Sequence, residues 1–150
     1  SLRNKGIDEI EFMMSTNLGE DLKPLSKVAS GGEVSRIMLA LKTIFSEVDN
    51  ISLLIFDEID TGVSGEIAIK MGEIMKDMSA SMQVFAITHL PQIAAKGDSH
   101  YKVSKRNVGE TTISELNLLT SEERIQQIAE MLSGKEITDS ALQHAKALLN

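Results

Sequence analysis

The sequence contains no cysteine and no tryptophan, only two prolines, and 3% aromatic residues. Without cysteine there is no disulfide framework, no thiolate metal site and no thiol nucleophile, which fits a reducing compartment. So few aromatics leave little material for the base-stacking platforms of single-strand binders. Positive charge is short as well: 15 Lys and Arg face 22 Asp and Glu, a net charge of −7. A domain that grips nucleic acid by itself usually carries a basic face, so autonomous, tight DNA binding is not expected. No apolar run approaches the roughly 20 residues of a membrane-spanning helix. The opening SLRNKGIDEIEF lacks the basic-then-apolar layout of a signal peptide, so no membrane partner is expected. The first residue is Ser1 rather than Met, as expected of a processed or excised piece of something longer.

What is present suits one α/β domain with a real core: 150 residues, 42% hydrophobic and 25% charged. The eight methionines are expected mainly as flexible core filler. Residues 7–15, IDEIEFMMS, read as a strand and 16–29, with Gly19 and Pro24, as a loop. From 31 to 48, Val34, Ile37, Met38, Leu41, Ile44, Phe45 and Val48 recur at helical spacing, predicting an amphipathic helix. ISLLIF at 51–56 is a continuous apolar run, too short for a buried helix. It suits a parallel strand covered on both faces. DTGVSG at 60–65 is a turn, and a second helix follows over about 65–79. MQVFAIT at 82–88 repeats the buried-strand pattern, completing a βαβ unit. Pro91 starts a short helix or turn, and 100–117 read as a hairpin turning near Asn107–Glu110. Thr120 and Glu123 offer a capping box for a helix ended by Gly134, and Thr138 or Asp139 caps a last one. The three bases Lys102, Lys105 and Arg106 on the hairpin could meet DNA phosphate, although a solvated hairpin is the preferred reading. There is no internal repeat.

Polar residues gather where the two buried strands stop. The first ends in Asp57-Glu58 and the second in His89. Each alone could simply open a solvated loop. Ligands of open α/β sheets, however, bind outside the carboxyl ends of the strands, where these side chains could converge. An apolar strand ending in Asp-Glu has a known use in nucleotide hydrolysis. Asp holds Mg²⁺ with waters kept in its shell, and Glu orients and deprotonates the attacking water.

KVASGGEVSR, residues 27–36, opens the first long helix. Ser30 and Glu33 fit the capping pattern S-x-x-E, which needs no ligand. That leaves Gly31 and Gly32 unexplained, because glycine weakens a helix. Glycines there give something access to free backbone N–H groups, and a helix amino terminus attracts phosphate.

In this order, these residues resemble the carboxy-terminal lobe of an ABC-type ATPase head, of the SMC-like class that includes DNA repair proteins. Ser30-Gly31-Gly32-Glu33 is similar to the signature motif, and Leu53-Leu54-Ile55-Phe56-Asp57-Glu58 to Walker B with its glutamate. Residues 60–65 fall in the D-loop region, and Ile87-Thr88-His89 resembles the switch histidine. VASGGEVSRIMLALK, IFDEIDTGVSG and ITHLPQIAA favour an SMC-like head over a transporter, whose Walker B continues Glu-Pro-Thr. The resemblance runs from about residue 10 onward.

The resemblance implies a mainly parallel sheet flanked by helices, with a late β-hairpin. It implies ATP and Mg²⁺ as cofactors and ATPase activity in the full-length dimer. Asp57 would bind the metal, Glu58 would activate water, and His89 would sense or stabilise the γ-phosphate. Ser30, Gly31, Gly32 and Glu33 would contact nucleotide in trans, on a second head. The implied partners are that second head, the chain's own amino-terminal P-loop lobe, and DNA through the full-length protein during double-strand-break repair. The implied location is the cytoplasm, at the nucleoid. Three departures stand out. Glu33 replaces the usual Gln, Ser64 stands where many heads carry Asp and is given no role, and no G-x-x-x-x-G-K-[ST] occurs anywhere. Without that P-loop the chain holds half an active site per head and by itself is expected to be inactive. A non-enzymatic dimerisation module of ATPase-like shape, or a transporter domain fragment, are the alternatives.

Overall fold

A computed structural model describes residues 10–15, 19–27, 31–48, 51–57, 59–109 and 111–150, with residues 31–33 and 46–48 described in their backbone alone. The expected strand at 7–15 is short. Among its described residues only Met13–Met14 (β1) is extended, and it pairs antiparallel with Lys23–Pro24 (β2), inside the expected loop. Pro24 is tolerated because so short a ladder asks little of its missing N–H. A 3-10 turn, Leu25–Lys27, follows.

Helix α1 spans Gly31–Val48, as the periodicity predicts. The apolar stripe does not meet the core as expected, however. Leu39, outside that stripe, is buried, and Thr43 one turn on donates from Oγ1 to Met78 Sδ at 3.4 Å. Met38, Leu41, Ile44 and Phe45 stay exposed.

Next come β3 (Leu53–Asp57), α2 (Gly65–Met78) and β4 (Gln83–Ile87). β3 and β4 pair in parallel, Leu53 opposite Gln83 through Asp57 opposite Ile87, as a βαβ crossover requires. Burial on β3 alternates instead of covering both faces. Leu54 and Phe56 are enclosed, while Leu53 and Ile55, with Phe85 and Ile87 of β4, lie bare. The reason is that helices described here cover one face of the pair. That covered face packs with Ala68, Met71, Met75 and Met78 of α2, with Val63, and with Ile93 of the short helix α3 (Pro91–Ala94). Gly72 lets α2 approach α3. A Cβ there would come within 3.2 Å of the Gln92 carbonyl.

A hairpin follows, β5 (Tyr101–Val108) and β6 (Thr111–Leu118), with Gly109 and Glu110 between them. Among the described residues the sheets are three strand pairs, one parallel and two antiparallel. The expected mainly parallel sheet is therefore corrected to a mixed α/β arrangement, because the single βαβ unit contributes just two strands. Helix α4 (Ser121–Ser133) starts on a complete Thr120–Glu123 capping box, and α5 (Asp139–Leu149) on Thr138, whose side chain accepts from the Ala141 N–H. These two pack into a second core of Ile128, Ala129, Ala141 and Ala145, with Ala95. Arg124 ties α4 to the bend that follows α3 by donating from Nη2 to the carbonyls of Ala95, at 2.8 Å, and Gly97. Among the described residues no helix is long and apolar enough to cross a membrane.

Candidate functional site

The parallel register sets the site. Asp57 closes β3 directly opposite Ile87, and His89 follows two residues later. Both polar ends therefore leave the same edge of the same strand pair, the carboxyl edge where α/β sheets bind ligands. Asp57 is exposed, and the His89 side chain is 66% exposed. Glu58 lies outside the described residues, one position beyond Asp57.

Asp60 is where sequence reading falls short. No motif in the sequence gives it a role of its own, yet it is fully buried. Its Oδ2 accepts from the Thr88 hydroxyl and, at 3.2 Å, from the His89 backbone N–H. The His89 Nδ1 lies 3.4 Å from the same oxygen. Thr88 Oγ1 in turn accepts from the Leu90 N–H at 3.0 Å. The turn carrying Asp60 is tight: the Val63 N–H donates to the Asp60 carbonyl at 3.0 Å, and Gly62 takes φ 74°, a left-handed value that favours glycine. An acidic residue beside a strand end ordinarily reads as solvated. Only the hydroxyl at Thr88, one position before the histidine, hints otherwise.

Among the described residues no three His, Cys, Asp or Glu side chains gather into a metal site. The exposed carboxylate at Asp57 fits Mg²⁺ that arrives with a nucleotide, since that ion keeps its waters and takes one or two carboxylates plus phosphate oxygens.

Of the residues expected to form the signature, Gly31 and Gly32 open the first turn of α1, where backbone N–H groups lack intrahelical partners. Ser30 and the side chain of Glu33 lie outside the described residues, and with them the expected capping box. The hairpin bases are largely neutralised. Lys102 pairs with Glu130 at 3.1 Å, and Arg106 with Glu115 at 2.7 Å.

No family model matches the chain. It is 51% identical over 148 residues, 99% of its length, to "DNA repair protein RecN" of Halalkalibacterium halodurans. It is 47% identical over 148 residues to the RecN of Bacillus subtilis, and 40% over 144 to that of Streptomyces coelicolor. The chain spans 26%, 26% and 25% of the length of these three curated relatives. The Smc head domain with coiled coil and joint from Pyrococcus yayanosii superposes with TM-score 0.64 at 24% identity, covering 77% of this chain and 21% of that one. A structure from a study of ATP-driven dimerisation and DNA-stimulated activation of SMC ATPases gives 0.60 at 23% identity, over 79% of this chain and 70% of that one. The chain is thus a homologue of a segment of the DNA repair protein RecN, about 26% of that protein's length, with the mixed α/β fold of an SMC head.

Proposed function

We propose that this segment supplies one half of a composite ATP-hydrolysis site in a RecN-like DNA repair protein. The observation that carries the reading is the parallel register placing Asp57 and His89 at one sheet edge, next to Glu58 in sequence. Magnesium supplies charge neutralisation at the phosphates. In this reading Asp57 holds the ion through its shell, and Glu58 takes the proton of the attacking water. His89 faces the γ-phosphate. The signature turn, Ser30 to Glu33, receives the nucleotide carried by another head, its glycines leaving backbone N–H groups open to phosphate.

The bare faces support a larger assembly. Leu53, Ile55, Phe85 and Ile87 on the strand pair, and Met38, Leu41, Ile44 and Phe45 on α1, are apolar and open to solvent. Such patches mark surfaces that meet another protein segment. The proposed cover is an amino-terminal lobe bearing the P-loop, a motif that does not occur in these 150 residues. DNA is assigned to the complete protein, since Glu130 and Glu115 already occupy Lys102 and Arg106.

The test is Glu58→Gln in the complete protein. It should keep ATP affinity and slow hydrolysis by about 10²-fold or more, the usual weight of a positioned base. Unchanged turnover would remove Glu58 from the role.

A further inference from the structure

Among the described residues, Asp60 is a charged side chain with no exposed surface, and the nucleotide-site reading leaves it without a task. A buried carboxylate is costly unless its oxygens are used. Here the use is lopsided. Oδ2 takes the Thr88 hydroxyl and the His89 N–H and faces the His89 ring, while no partner is found for buried Oδ1. A mere turn cap does not need this chemistry. A neutral Asn or Ser would satisfy an N–H and a hydroxyl without burying a charge. A carboxylate is called for where an imidazole nitrogen is also to carry its proton toward the anchor.

We propose that Asp60 is the positioning residue for His89, locking the backbone and ring of the histidine to the turn that follows Glu58. This rests on the nucleotide-hydrolysis reading of the edge. Residues 88–90 are gathered onto one oxygen, directly through Thr88 and His89 and indirectly through the Leu90 N–H on the Thr88 hydroxyl. The anchor itself is fixed by the Asp60–Val63 turn, whose Val63 side chain is buried in the core. The ring is therefore held on its Nδ1 side, at 3.4 Å, and its other nitrogen is left for the open edge. A shift of the turn at 60–63 thereby reaches His89 through the Asp60 carboxylate.

The experiment uses the complete polypeptide that carries this segment and compares single-turnover ATP hydrolysis with ATP affinity. Asp60→Asn and Thr88→Val should each slow hydrolysis roughly 10- to 100-fold, the scale of a misplaced catalytic group, with affinity within about twofold. Thr88→Ser, which restores the hydroxyl, should recover most of the Thr88→Val loss. In a His89→Ala background, Asp60→Asn should add less than about twofold, since a residue acting through another has nothing left to act on. An undiminished Asp60 effect in that background overturns the proposal, as do wild-type rates in both Asp60→Asn and Thr88→Val. If His89→Ala and Glu58→Gln themselves hydrolyse normally, the reading of the whole edge falls. If those two are slow while the Asp60 and Thr88 variants are not, the Asp60 assignment alone falls.

Discussion

Asp57 lies directly opposite Ile87 in the parallel β3–β4 ladder, so the Walker B-like carboxylate and the histidine two residues beyond Ile87 leave one edge together. This relationship makes two separated sequence signals into one candidate site.

The two faces of β3 should respond differently to truncation. Phe56 and Leu54 face the core, and Ile55 is bare. In the segment alone, Phe56→Ala should cost about 3–5 kcal/mol, the range for emptying a core position. Ile55→Ala should change stability by less than about 0.5 kcal/mol. Denaturant unfolding measures both. Equal losses would mean that the Ile55 face is already covered.

Arg124 should be hard to replace. Its Nη2 donates to two carbonyls of the 95–97 bend, so Arg124→Ala should destabilise by about 1–3 kcal/mol. Lysine lacks the planar fork, and Arg124→Lys should recover little. Thermal unfolding reads this directly, and full recovery by lysine would contradict it.

Acid should weaken the fold in two stages. Burial, then the charges of Arg124 and Lys102, hold the His100 pKa below its ordinary 6.5. A lowered native value means stability fully present above 6.5 and lost as pH falls past it toward the native value. The Thr120 backbone and side-chain hydrogen bonds likewise lower Glu123 from 4.5, and Lys76 lowers Asp98 from 3.8. Their contributions are present above those ordinary values and are lost at lower pH. Unfolding curves across the acid range should lose the first stage in His100→Gln and part of the second in Glu123→Gln. Superimposable wild-type and variant profiles would refute the assignment.

Most elements are legible in the sequence because their signals are local. Helical spacing marks α1, the Thr120–Glu123 box marks the start of α4, and unbroken apolar runs mark β3 and β4. What escapes is set by partners. The stripe on α1 is periodic, but periodicity does not say which stripe meets this core, and Leu39 does so instead. The continuous run in β3 reads as covered on both sides, while the described chain covers one. Asp57 and His89 are found from strand ends. Asp60 is not, because its burial depends on Thr88 and His89, 28 and 29 residues away.

The 150-residue chain alone should bind ATP negligibly, since its sequence contains no P-loop to cradle the phosphates. Titration calorimetry checks this, and micromolar binding would place a nucleotide cradle within these residues.

A composite site needs two heads, and Ser30 is where that requirement is tested. In the complete protein, Ser30→Arg puts a long cation where a partner's phosphate is proposed to dock. Light scattering with and without ATP, beside a measurement of ATP affinity, is the decisive experiment. Normal ATP affinity with loss of ATP-dependent dimerisation is the expected result. Dimerisation at the wild-type level would contradict it.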